Sequence, residues 1–85
     1  MKLYKITNLS EHPPYAEFYD SIIVCAKDEN DARTIHPYLP EIDHDHWKYG
    51  DAEWPKKKSL LAVKHIGEAV SDIPRGVIMC DYKGY

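Results

Sequence analysis

The residues that most restrict the fold are SIIVCA at positions 21–26, an unbroken run of β-branched and small apolar side chains between a charged loop and the acidic stretch KDEND. Such a run suits a strand covered on at least part of both faces, so a sheet must be built around it. Upstream, KLYKIT sets Leu3, Lys5 and Thr7 on one side and Tyr4 and Ile6 on the other, the alternation of a strand over residues 2–8. The linking segment NLSEHPPYAEFYD holds Pro13 and Pro14, which block a helix and any central strand, and reads as a wide hairpin loop between antiparallel neighbours.

A helix start follows. Asp28 stands at the N-cap position, and Glu29 and Asp31 place negative charge in the first turn, where it complements the helix dipole. Pro37 stops the helix and restricts His36 before it, which leaves about two turns, from Asp28 to roughly Ile35. Ala32 and Ile35 are three apart and face the sheet, and packing there is what makes so short a helix stable.

Residues 37–58, PYLPEIDHDHWKYGDAEWPKKK, keep neither a helix nor a strand period and read as a long irregular loop. Loops of this length in compact domains are usually functional or disordered, and Trp47, Tyr49 and Trp54 argue against simple disorder. SLLAVKHIGEAV at 59–70 resumes strand character, with Gly67 as a bulge or bend. After the turn SDIPRG comes the last strand, VIMCDYKGY, which the short turn predicts to be the hairpin partner of the third. The expected fold is α+β: one domain over residues 1–85, with a small four-stranded, mainly antiparallel sheet in the order β-β-α-loop-β-β and one short helix on one face.

Eighty-five residues are too few for two hydrophobic cores. The N-terminus MKLYKITNLS has no apolar stretch of signal-peptide length and no run approaches a membrane span, so the expected location is the cytoplasm, with no membrane partner. Cys25 and Cys80 both lie in apolar runs and are expected to be buried reduced thiols rather than a disulfide. Fourteen acids against eleven bases give a net charge of −3, the wrong sign for a general phosphate-backbone binder.

No Walker loop, dinucleotide-binding glycine turn, H-E-x-x-H or framed carboxylate pair occurs, so the expectation is a protein that is not an enzyme and needs no cofactor. Asp43, His44, Asp45 and His46 are metal-ligand types, but a structural zinc site needs four converging ligands, and a solvated acidic loop accounts for them better; no metal is expected. Cys25 or Cys80 with one of five histidines makes the minimum for thiol chemistry, a pairing that chance supplies without a local signature. Lys56, Lys57 and Lys58 beside Trp54 offer a phosphate patch with a stacking surface, or simply guard the apolar strand behind them. Arg75 before Gly76 can reach a carboxylate or a phosphate, or merely end a turn.

MKLYKIT, the passage SIIVCAKDENDARTIHP, and HIGEAV followed by RGVIMCDY resemble a set of small, mostly uncharacterised bacteriophage and prophage proteins, over roughly half of the chain. That resemblance implies an accessory gene product of a kind that often acts against host defence, and supplies no site residues. The leading expectation is a non-enzymatic binding protein that inhibits a host protein through the aromatic, acidic loop, with Trp47, Tyr49, Trp54, Asp43 and Asp45 as contact residues. The alternative is an oligomer that sequesters a nucleotide-type signal with Arg75, Lys56, Lys57, Lys58 and Trp54, since one chain this small can scarcely enclose a nucleotide.

Overall fold

The computed structural model describes residues 1–11, 17–37, 54–55 and 57–83. Strand β1 (Lys2–Asn8) pairs antiparallel with β2 (Phe18–Ala26), with Leu3 opposite Cys25 and Ile6 opposite Ile22. The one-turn helix α1 (Glu29–Ala32) follows, then a 3-10 turn at Lys58–Leu60, β3 (Leu61–Glu68) and β4 (Gly76–Lys83). All pairings are antiparallel, and the four-stranded sheet has the order β3-β1-β2-β4. The expected α+β fold with its short helix is therefore present, with β2 three residues longer at its start than the run SIIVCA suggests.

One pairing departs from the sequence reading. β3 and β4 do not form a hairpin: β3 adds to the free edge of β1 and β4 to the free edge of β2, so they lie at opposite sides of the sheet. A hairpin would have left one edge of the apolar β2 unpaired, and placing the two C-terminal strands on either side of the N-terminal pair satisfies both edges. The connection passes the ends of β1 and β2, where Ala69 N–H donates to the Met1 carbonyl at 3.0 Å and the Cys25 thiol lies 3.8 Å from the Ile73 carbonyl. Gly76 opens β4 with φ of +144°, a conformation that side-chain-bearing residues rarely adopt, and nothing lies near its missing Cβ. The backbone angle, not crowding, requires glycine there. Near the expected bend at Gly67 the register slips by one, because Leu3 pairs with Gly67 and Tyr4 with His65, leaving Ile66 as the extra residue.

The helix is shorter than its sequence signals suggest. Asp28 caps it as expected, accepting the Asp31 N–H at 2.8 Å, but the α-helical segment ends at Ala32 and the chain continues through turns to Pro37. Four residues cannot cover a four-stranded sheet. Trp54 supplies the missing volume: it is fully buried and packs with Tyr4, Ile6, Ile22, Val24, Ala26, Ala32, Ile35 and Leu61 in one cluster, with Tyr19, Val63 and Val77 at its margin. Asn8 is the buried polar residue at the end of β1; its amide donates to the Tyr19 carbonyl at 3.0 Å and its carbonyl oxygen accepts from the Ser10 N–H and hydroxyl.

Both cysteines are free, but they differ: Cys25 is buried under the β3–β4 connection, whereas Cys80, expected to be buried, is exposed because β4 is an edge strand that the helix does not reach. Two outcomes follow. Trp54→Ala, which empties the largest buried side chain, is expected to cost about 3–5 kcal/mol in urea unfolding, a large share of a small domain's stability. A thiol reagent added to the native protein should modify Cys80 at once and Cys25 only on unfolding, as read by mass spectrometry of the labelled peptides.

Candidate functional site

Residues 38–53, which carry Asp43, His44, Asp45, His46, Trp47 and Tyr49, lie outside the described residues, as does Lys56. What the structure defines is how the chain enters and leaves that segment. Ile35, His36 and Pro37 on one side and Trp54 and Pro55 on the other are all buried. Both ends are therefore fixed in the core on the helix side of the sheet. Trp54 is an anchor of this segment rather than an exposed contact, since no part of the side chain reaches solvent. Its Nε1–H is buried and has no hydrogen-bond partner among the described residues, a cost accepted in return for the packing of the indole.

Two arginines brace these ends. Arg33, at the end of α1, donates through Nη1 to the carbonyls of Lys58 at 2.9 Å and Leu61 at 2.5 Å, and its Nη2 pairs with Glu29 at 3.2 Å. This ties the helix to the chain just beyond Trp54. Arg75, at the start of β4, donates Nε to both carboxylate oxygens of Asp31 at 3.0 and 3.1 Å and Nη2 to the Thr34 hydroxyl at 3.1 Å. Asp31 also accepts the Lys27 N–H at 3.1 Å. A charge-assisted, two-oxygen contact of this kind fixes geometry as well as charge. Burial pushes the Asp31 carboxyl up, but hydrogen bonds from Arg75 and the Lys27 backbone, with the attraction of both cations, outweigh it and hold the group below its ordinary value of 3.8.

The residues expected to bind a phosphate are thus not gathered into one cradle among the described residues. The Arg75 guanidinium is engaged by Asp31 and Thr34. Lys57 and Lys58 are exposed beside the 3-10 turn, and Trp54 is in the core instead of offering a stacking face. Among the described residues no group of three or more His, Cys, Asp and Glu side chains converges as a metal site.

A second feature had no expectation attached to it. The sheet face opposite the helix carries Leu3, Lys5, Thr7, Ser21, Ile23, Ala62, Lys64, Met79 and Asp81 in register, and a depression of about 210 Å³ lies between Lys5, Ser21, Ile23, Met79 and Asp81. Its signal in the sequence is the alternation that marks β1, where Leu3, Lys5 and Thr7 form the side not taken by the core. No protein-family model matches the chain, nor does any curated protein or solved structure.

A carboxylate whose folded pKa is depressed adds stability that is present above its unfolded value and is lost as pH falls through the folded one. Asp31→Asn is therefore expected to unfold at lower urea than the parent at pH 7, with the gap closing as the pH drops below about 4.

Proposed function

We propose that this chain is a non-enzymatic binding protein that engages a partner protein through the segment between Pro37 and Trp54, with Trp47 and Tyr49 as apolar anchors and Asp43 and Asp45 as flanking charge. The observation that carries this reading is the burial of both ends of the segment, Pro37 on one side and Trp54 with Pro55 on the other. With both ends fixed in the core, the points where the segment starts and stops are set before a partner arrives, which favours affinity. Aromatic side chains are the usual centres of interface energy, and acidic neighbours select a basic partner surface. The likeness to small phage and prophage proteins favours a host protein as that partner, acting in the bacterial cytoplasm, and inhibition as the outcome.

Trp54 keeps a role in this reading, as the post that holds the segment. The experiment is affinity capture from bacterial lysate with the parent protein, Trp47→Ala/Tyr49→Ala and Trp54→Phe, each first shown to be folded. Loss of a specific captured protein with the double variant and retention with Trp54→Phe are expected. An undiminished captured protein with the double variant would assign binding to another surface.

A further inference from the structure

The open face of the sheet has the chemistry of a self-complementary surface. Its middle row, taken across the sheet in register, is Lys64, Lys5, Ile23 and Met79. The next row is Ala62, Thr7, Ser21 and Asp81. Cations thus occupy the β3–β1 half, apolar side chains the β2–β4 half, and the carboxylate of Asp81 stands on β4. Met79 is 60% exposed, and the bulges beside the two edge strands leave Ile66 and Ile78 45% and 48% exposed. The β3–β4 connection approaches this face where the Ile73 carbonyl meets Cys25.

We propose that this face binds a second copy of the chain, sheet against sheet, about a two-fold axis parallel to the strands. Charge decides the axis. Rotation about a line parallel to the strands lays β4 of the partner over β3 and its β2 over β1. The apolar half then covers the lysine half, so that the stems of Lys5 and Lys64 lie along Ile23 and Met79 of the other copy while their ammonium groups reach toward its Asp81, one row away. Rotation about a line across the strands would instead keep each strand over its own copy, setting the lysine strands β3 and β1 on themselves and β4 with Asp81 on β4, which like charge opposes. The depression lined by Lys5, Ser21, Ile23, Met79 and Asp81 lies beneath the partner's β1 in the favoured arrangement and admits its Lys5. Among the described residues Asp81 has one ion pair, to Lys83 at 3.4 Å with both groups about half exposed, and such a contact competes little with a second cation.

Strands about 4.8 Å apart and about 3.3 Å per residue give the face roughly 400 Å² in projection, at the low end for a specific interface, so the dimer forms at micromolar concentrations. The test is sedimentation velocity on the full chain over a micromolar concentration series, comparing the parent with Asp81→Lys, Lys64→Asp and the double exchange. Both substitutions are at exposed positions, and circular dichroism checks that the fold is kept. The parent is expected to dimerise with an affinity that falls as salt is raised. Each single reversal should weaken it by about tenfold or more, and the double exchange should restore it in part, because the pair of positions 64 and 81 is then reversed in sign on both copies while Lys5 keeps its charge. A parent that stays monomeric throughout overturns the proposal. So does a dimer that all three variants leave unchanged, which would place the contact elsewhere, such as edge to edge through β4.

Discussion

The structure depends on one indole. A helix of a single turn cannot cover four strands, and the face that it leaves bare is filled by Trp54, which stands shortly before the 3-10 turn at Lys58–Leu60. Tyr4, Ile6, Ile22, Val24 and Ala26 on this side of β1 and β2 share one buried cluster with Trp54 and with Ala32, Ile35 and Leu61. Polar contacts join the same place, since Arg33 reaches from the helix to the backbone carbonyls of Lys58 and Leu61, shortly after Trp54. Removing a donor such as the indole N–H from water is tolerated when the ring contributes this much buried area.

The strands were legible because their patterns are local. Alternation in KLYKIT and the β-branched run SIIVCA report which residues face a core, and Asp28 with Asp31 reports a helix start. Strand order is not local. The short turn after Val70 is compatible with a hairpin, but which strand covers which edge depends on the unsatisfied edges of β1 and β2, and no residue in the turn encodes that. Trp54 misled for a related reason: in the sequence it belongs to a polar, proline-rich stretch, whereas its burial is set by how little of the sheet the helix covers. Arg75 was legible as a residue able to reach a carboxylate, but not as the partner of Asp31, 44 positions away.

The two faces of the sheet follow different rules. On the helix side the side chains of β1 and β2 are sealed, and even the polar ones find partners, as Asn8 does with Tyr19 and Ser10. On the other side the same strands show lysine, threonine, serine and isolated apolar groups. A sheet of this kind has one face spent on folding and the other available for recognition.

The strand order also has a meaning for synthesis. The β1–β2 hairpin is complete once residue 26 has emerged, but both of its edges stay open until β3 and then β4 arrive, the latter from residues 76–83. Through most of translation the nascent chain therefore presents an apolar hairpin whose outer strands are still to come, and folding must wait for pairings such as Lys2 with Glu68. A strand template that is made before the strands that cover its edges is open to capture by any other β-edge in the interval, and the speed at which β3 and β4 follow becomes part of how reliably this fold is reached.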